Sequence, residues 1–402
     1  MGLSFQEMIE EGQMSKQDRL EAVDLVRAFA IIGVLMVHAT SSAFVSNAES
    51  SIFYAYSFLN KFFKFGTPTF IFLSSFILFY NYCHRPFRKE TLGKFYKNRG
   101  KYILVPYLVF SLFYFFVIRE HPGLSPQELA HKFFSSLAVG KTYTHLYFLF
   151  INVQFYLLFP LFLAFFRKYR RMPVYAVFAG FAVQAAFLTV HYFVLPEPLP
   201  YKASWAFYHF PSYFLGAFFG IYYDRLKAWI SVRRELWKTP VKASWIGLWA
   251  FAAAFGLLHV QAFYNNMKLG VDYHLVVYDV LWTLHTSAAA VVLLQLAHVL
   301  HDKGSPRIVA VLRHLGAHSF GIYLIHPTFL HLYRSYPVPR DSLLYHPWVA
   351  GGFVLALLLS WVIVTLAVRY MPGAWVLFGK PPEQYGRKRS VARRPAGTTV
   401  AK

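Results

Sequence analysis

The sequence predicts an all-α polytopic membrane protein, a bundle of about ten transmembrane helices with the N- and C-termini cytoplasmic. Three observations support this fold class. Of the 402 residues, 57% are hydrophobic and only 14% are charged, whereas a soluble domain carries about 25% charged residues. Apolar stretches long enough to cross ~30 Å of hydrocarbon recur along the chain. Lys and Arg are concentrated in alternate connecting segments, which is the pattern of cytoplasmic loops.

The apolar stretches define the predicted spans and the domain boundaries. The first span stays in the protein as an anchor, because no small-residue cleavage site follows it. The chain divides into a cytoplasmic N-terminal segment 1–24, a transmembrane domain 25–371 and a basic disordered cytoplasmic tail 372–402. The predicted spans are 25–44, 62–82, 102–118, 143–166, 173–193, 203–223, 243–263, 275–299, 314–334 and 346–370.

The distribution of basic residues sets the orientation and explains the net charge. With a cytoplasmic N-terminus, the inner segments hold 29 Lys and Arg, while the outer loops hold 7. Lys and Arg accumulate in short cytoplasmic loops, so the net charge of +22 is mostly a topology signal. We therefore expect the lipid bilayer, and not nucleic acid, to be the partner of this basic surface. The single cysteine, Cys83, excludes an intrachain disulfide.

Ionisable side chains inside spans are costly and usually mark a site or a pathway. Arg27 and His38 on the first helix are 11 residues apart, so they share a face and stand ~16 Å apart along the axis. Ser319, Tyr323 and His326 form a polar stripe on the ninth helix, which should face the bundle interior. His326 lies about as far along its helix as His38 does, so we expect the two imidazoles to meet.

Other polar residues point to the same half of the bundle. Asp279 and His285 lie on the eighth helix, His145 opens the fourth, and His209 and His259 lie on the sixth and seventh. An interior histidine can instead bond a carbonyl or hydroxyl of a neighbouring helix, and this structural alternative is favoured for His209, His259 and His285. For His145 the two readings are balanced. The histidine spacing within the spans does not indicate a metal site, and we expect none.

Five segments resemble, in order, the motifs of the membrane acyltransferase 3 family. They are 19–38 with its Arg-x10-His spacing, 70–76, 99–106, 145–149 and 319–326. The segment 145–149 resembles most the branch of the intercellular adhesion protein C-type polysaccharide modifiers.

Two positions depart from the family pattern. Ser75 stands where the family usually has Gly, which questions close helix contact at that point. Tyr102 stands where the second Arg of an Arg-x-x-Arg motif would fall, so the role of Arg99 is transferred with caution.

The resemblance implies transfer of an acyl group, acetyl or succinyl, from cytoplasmic acyl-CoA to a hydroxyl of a cell-envelope glycan or glycolipid. The location would be the bacterial plasma membrane, with acyl-CoA as donor substrate and no permanently bound cofactor. The predicted roles are catalysis by His38, His326 and Tyr323, CoA phosphate binding by Arg27, Arg99 and Lys101, and acceptor binding by His145, Ser319, Asp279 and His285.

The sequence leaves open more than one mechanism and more than one class of function. His38 can act as a general base toward the acceptor hydroxyl, or it can carry the acyl group itself. A glycan exporter, a proton-coupled transporter that uses the histidines as relays and a non-catalytic scaffold are the competing functions. The sequence identifies neither the acyl group nor the acceptor.

Overall fold

The computed structural model describes residues 5–46, 48–83, 88–169, 172–232 and 238–382, and these ranges contain helices and connecting segments but no strand. Nine helical segments are long and apolar enough to cross a membrane among the residues so described. The predicted fold class, a multi-pass helical membrane protein, is confirmed. The α-helices are α1 Phe5–Ser46, α2 Phe53–Lys61, α3 Gly66–Tyr82, α4 Lys89–Arg99, α5 Val105–Phe113, α6 Pro126–Leu137, α7 Tyr147–Lys168, α8 Met172–Thr189, α9 Phe210–Ile221, α10 Tyr223–Ile230, α11 Thr239–Leu269, α12 Leu275–Lys303, α13 Pro306–Arg334, α14 Tyr345–Tyr370 and α15 Ala374–Phe378.

The sixth predicted span, 203–223, is shorter than expected. Its α-helix, α9, has only 12 residues and is preceded by two short 3-10 turns. Trp205 between these turns is extended, and Pro211 lies in the first turn of α9, where its missing N–H costs nothing. The helix therefore begins late and packs between α3 and α8 inside the bundle.

Two glycines on α9 allow it to approach α3 closely. A Cβ at Gly216 would lie 2.2 Å from the carbonyl oxygen of Phe72, and one at Gly220 would lie 2.4 Å from that of Phe76. Small residues four apart let membrane helices come into backbone contact. The Cβ of Ser75 on α3 faces Gly216 on α9. The two helices are therefore in close contact even though Ser75 stands where the family usually has Gly, because α9 supplies the small residues.

Helix α1 occupies the centre of the bundle and contacts α3, α12, α13 and α14. A Cβ at Gly316 of α13 would lie 1.7 Å from the carbonyl oxygen of Asp24, so α1 and α13 touch through their backbones. Further along the same pair, His38 faces His326. The two helices therefore run side by side in the same direction, which aligns their polar residues.

Two predicted boundaries differ in the structure. The second span begins at Phe53 instead of 62, because α2 and a 3-10 turn, Phe62–Phe65, lead directly into α3. The start of the predicted tail packs on the bundle, since Phe378 of α15 is buried with its ring 6.3 Å from that of Phe110. The prediction of a disordered tail from 372 is thus wrong for α15. The rest of the predicted tail, 383–402, lies outside the described residues.

Helix α1 is longer than the predicted first span. It includes residues 5–24 of the predicted N-terminal segment, while the part apolar enough to cross a membrane is Glu21–Ser46. The cytoplasmic placement of both termini stays a prediction from the loop charges.

Candidate functional site

Three imidazoles from three different segments meet inside the bundle. The ring centroids of His38 on α1 and His326 on α13 are 5.2 Å apart. His145 lies in the turn before α7, with its ring centroid 5.6 Å from that of His326. His145 and His326 are fully buried. The contact of α1 with α13 at Gly316 brings the first two together, as the matched helix positions predict.

The hydrogen bonds of His145 and His326 leave one nitrogen of each ring unpartnered. His326 Nδ1 lies 2.8 Å from the carbonyl oxygen of Tyr323, and His145 Nε2 lies 3.3 Å from that of Leu324. A nitrogen facing a carbonyl must donate, so in the neutral rings His326 Nε2 and His145 Nδ1 are acceptors. Both acceptors are buried and have no hydrogen-bond partner among the described residues. The cluster therefore keeps two unused acceptor nitrogens, and both belong to residues that are 0% exposed.

Tyr323 joins this cluster by a bond to the backbone. Its hydroxyl donates to the carbonyl oxygen of His145, and its ring centroid lies 5.2 Å from that of His145 and 5.9 Å from that of His326. Because its proton is already committed, Tyr323 holds His145 in place and is not free to donate to a reacting oxygen.

His38 stands between two cavities. Among the described residues, hydrogen bonds to His38 involve only its backbone carbonyl oxygen, which accepts from Arg334 Nη2 at 2.6 Å. One side of His38 borders a cavity of about 120 Å³, which we call the smaller cavity, with Tyr143, His331 and Arg334 in its wall. The other side borders a cavity of about 250 Å³, the larger cavity. His38 is the one residue that lines both.

The wall of the larger cavity combines aromatic rings with one carboxylate. Asp279 accepts from Lys202 Nζ at 2.5 Å, from the Tyr208 hydroxyl at 2.6 Å and from the Tyr192 hydroxyl at 2.7 Å. The Tyr208 ring stacks on Trp282 with centroids 5.0 Å apart. A flat aromatic surface suits a polar ring with hydroxyl groups, but both carboxylate oxygens of Asp279 already accept from neighbouring side chains, so acceptor binding by Asp279 stays a prediction.

Two predicted acceptor-binding residues lie elsewhere. His285 Nδ1 is 2.9 Å from the carbonyl oxygen of Ala252, and its Nε2 is 2.9 Å from that of Phe62. His285 therefore connects α11 to the 3-10 turn before α3. This is the structural role, bonding to carbonyl groups of neighbouring helices, that the sequence analysis favoured for it. Ser319 is buried on α13 and lines neither cavity. His209 borders the larger cavity but bonds the carbonyl oxygen of Ala203 at 2.9 Å.

The three basic residues predicted to hold CoA phosphates have separate surroundings. Arg27 forms an ion pair with Asp24 at 2.8 Å. The Arg99 guanidinium lies over the Tyr156 ring, 4.9 Å from its centroid. Lys101 Nζ lies over the Trp375 ring at 4.3 Å. None of the three lines either cavity, so a donor held by them must extend inward to His38.

The sequence reasoning missed three basic residues near His38. Arg334 donates to the backbone carbonyl oxygens of His38 and Ala39 on α1. The sequence feature that could have identified Arg334 is its position at the predicted outer end of a span, where Lys and Arg are rare. Lys61 and Lys64 were assigned to an outer loop and to a span end. The sequence feature that could have identified them is the presence of two cations in a segment rich in phenylalanine, 58–65.

Among the residues that the structure describes, no group of three or more His, Cys, Asp or Glu is arranged to hold a metal ion. The expectation that the protein works without a metal stays a prediction, since the arrangement of side chains alone does not test it.

Comparison with known proteins gives both a family and relatives. The model of a family described as an acyltransferase domain, acyltransferase 3, matches residues 20–365. A Bacillus subtilis (strain 168) protein named as a membrane-bound acyltransferase, YfiQ, is 26% identical over 215 residues, 49% of this chain and 56% of that protein. A Staphylococcus aureus (strain N315) protein named as a poly-beta-1,6-N-acetyl-D-glucosamine export protein is 27% identical over 226 residues, 52% of this chain and 59% of that protein. The chain thus spans less than two thirds of the length of these relatives, and no solved structure matches it.

Proposed function

Because this chain belongs to the acyltransferase 3 family, we propose that it transfers an acyl group from cytoplasmic acyl-CoA to a hydroxyl group of a cell-envelope glycan or glycolipid. The observation that carries the proposal is the place of His38. Its ring is not hydrogen-bonded to another described residue and borders both cavities, so it is accessible from two sides. A group that must meet a donor and an acceptor needs this access.

In the reaction we propose, His38 is the general base. The acceptor hydroxyl binds in the larger cavity and gives its proton to the His38 imidazole as its oxygen attacks the thioester carbonyl carbon. The carbon–sulfur bond then breaks, and the imidazolium returns the proton to the leaving thiolate. The products are the acylated acceptor and CoA, and His38 is neutral again.

The residues around His38 take supporting parts in this proposal. His145 and His326 line neither cavity, so in this proposal they act through His38: the His326 ring packs against the His38 ring, with centroids 5.2 Å apart, and positions it. Tyr323 positions His145 through its backbone bond. Arg27, Arg99 and Lys101 hold the CoA phosphates, and the flexible arm of CoA covers the ~16 Å between Arg27 and His38.

The covalent route differs by one intermediate. If His38 attacks the thioester itself, an acyl-imidazole forms before the acceptor binds. Incubation of the purified protein with acyl-CoA in the absence of acceptor, followed by acid quenching and intact mass measurement, separates the two routes. If the wild-type protein gains the mass of one acyl group and His38→Gln does not, the covalent route is correct and the general-base step is not.

The test of the function is mass spectrometry of envelope glycans and glycolipids from cells that make the wild-type protein, His38→Ala or no protein. His131→Ala is the matched control, because His131 is an exposed histidine on α6. We expect a mass increase of one acyl group with the wild type and with His131→Ala only. Wild-type levels of acylation in His38→Ala, at equal protein abundance, would refute the proposal.

Export of a glycan is the second candidate, favoured by the Staphylococcus aureus relative named as an export protein and by the aromatic wall of the larger cavity. It predicts less glycan outside the cell without the protein and no acyl mass difference. His38→Ala would then leave the glycan masses unchanged.

A further inference from the structure

Two lysines lie inside a membrane-spanning segment without an acidic partner. Lys61 ends α2 and Lys64 lies in the following 3-10 turn, both within the span Phe53–Tyr82. Lys61 is only 6% exposed, and Lys64 borders the larger cavity. None of the ion pairs between described residues includes either lysine. A charged side chain at such a place is costly and normally has a function.

Aromatic rings are the immediate neighbours of these cations. Lys61 Nζ lies 3.8 Å from the ring centroid of Phe44 and 4.1 Å from that of Phe263. Lys64 Nζ lies 5.4 Å from the same Phe263 ring, which also lines the larger cavity. A ring face attracts a cation, but it leaves the charge uncompensated. Lys64 therefore brings a cationic side chain to the cavity wall, and Lys61 lies behind it across the Phe263 ring without lining the cavity.

No other group on the cavity wall balances them. The carboxylate of Asp279 is already bonded to Lys202 and to two tyrosine hydroxyls. The remaining titratable groups of the lining are the imidazoles of His38, His209 and His259 and the hydroxyls of Tyr147, Tyr208 and Tyr278, which supply no negative charge when neutral. The larger cavity thus has more positive than negative charge.

We propose that Lys64, with Lys61 behind it, binds an anionic group of the substrate that occupies the larger cavity. This inference rests on the proposed acyl transfer and narrows its substrate class. The anionic group belongs to the molecule that places a reacting atom at His38, so it is either a carboxylate at the far end of the acyl group or an acidic group of the acceptor sugar. The phosphates of CoA do not fit this place, because the long arm of CoA separates them from the thioester.

Matched pairs of probes distinguish the two sources. The full chain is reconstituted in phosphatidylcholine vesicles, whose neutral lipids do not compete for the lysines, and binding is measured at equilibrium. Succinyl-CoA is compared with acetyl-CoA for the acyl group, and glucuronate with glucose for the acceptor. We expect the anionic member of one pair to bind roughly tenfold or more tighter than its neutral partner.

Substitutions at Lys64 tie this preference to the site. Lys64→Met should abolish the preference, while Lys64→Arg keeps the positive charge and should retain most of it. Lys64→Met should unfold at the same or a higher temperature, because a hydrophobic residue replaces an unpaired buried charge. If this variant does not fold, Lys64→Gln provides the same test, because it removes the charge and keeps a polar side chain at the cavity wall.

The outcomes separate this inference from the proposed function. Equal binding within both probe pairs, or a preference that survives in folded Lys64→Met, would overturn the anion site. Binding of both acyl-CoA probes in that case would leave the transferase proposal standing. If neither acyl-CoA binds while the preference for glucuronate depends on Lys64, the anion site stands and the acyl-CoA-dependent function fails.

Discussion

Two polar regions inside the bundle use the same residue types in opposite ways. Every polar side-chain atom of His285 and Asp279 on α12 has a neighbour of its own: each His285 nitrogen faces a carbonyl oxygen, and Asp279 accepts from a lysine and two tyrosines. His38 and Lys64 border the larger cavity, and neither side chain has a carbonyl or carboxylate partner among the described residues. A saturated group holds helices together, whereas an unsaturated one keeps its bonding capacity for a ligand. We therefore expect hydrogen bonding, more than residue type or burial, to separate structural from functional residues here.

His326 is where the comparison predicts the largest effect. His326→Gln removes a free acceptor nitrogen from the cluster, so we expect acyl transfer to fall by ~10²-fold or more, with little change in unfolding temperature. Acyl content of the envelope glycans, normalised to protein abundance, gives the first quantity. A large drop in stability with unchanged acylation per folded molecule would instead mean that His326, like His285 and Asp279, serves to hold the helices together.

Asp279 should show the opposite behaviour. Asp279→Asn leaves Lys202 without a counter-charge, and breaking a buried pair costs about 3 kcal/mol of unfolding free energy. Denaturant unfolding of the protein in detergent measures this loss. The double variant Asp279→Leu, Lys202→Met is the control, because removing both charges should recover most of the stability. No recovery would show that the two tyrosine bonds, and not the ion pair, hold this wall.

Gly316 tests the placement of His38 without touching either polar region. In Gly316→Ala the new Cβ would meet the carbonyl oxygen of Asp24, which forces α1 and α13 apart. We expect a loss of about 1–3 kcal/mol in stability together with reduced transfer, since His38 and His326 separate. Gly373→Ala is a matched control, because nothing lies within 4 Å of a Cβ there. Full activity in Gly316→Ala would mean that the imidazole spacing does not matter.

His285 completes the series with a smaller effect on stability. His285→Leu keeps the bulk of the side chain but leaves the carbonyl oxygens of Ala252 and Phe62 without their imidazole partner. The expected cost is about 1–2 kcal/mol, measured by the same denaturant unfolding. Transfer per folded molecule should stay near the wild-type level, and a specific loss of transfer at unchanged stability would move His285 into the site.

The sequence predicted most of the helices because a span through lipid leaves a long apolar stretch that few other structures produce. It overestimated the sixth span, because residues 203–209 are apolar but form turns with Trp205 extended between them. The start of the second span was placed too late, at 62 instead of Phe53, because the spans were drawn as stretches nearly free of charged residues and Lys61 ended the preceding loop. Composition along the chain does not show that a cation is buried among rings from other helices.

The meeting of His38 and His326 was predictable, because both lie at similar positions along helices that run in the same direction. The roles of the other histidines were not, because they depend on backbone carbonyls of distant segments. His285 bonds Phe62, which is 223 positions away in the chain. The alternatives left open for such residues can be separated only when the packing partners are known.

The position of His38 between the two cavities also matters for the membrane as an electrical insulator. Among the described residues, His38 is the one residue that the linings of the smaller and larger cavities share. In the proposed reaction, two molecules would reach the same imidazole, each through its own cavity. A transferase of this kind would need no passage for ions between the cavities and would complete every turnover with this partition shut. A polymer exporter would have to move the partition aside for each sugar unit and reseal it against ion leakage.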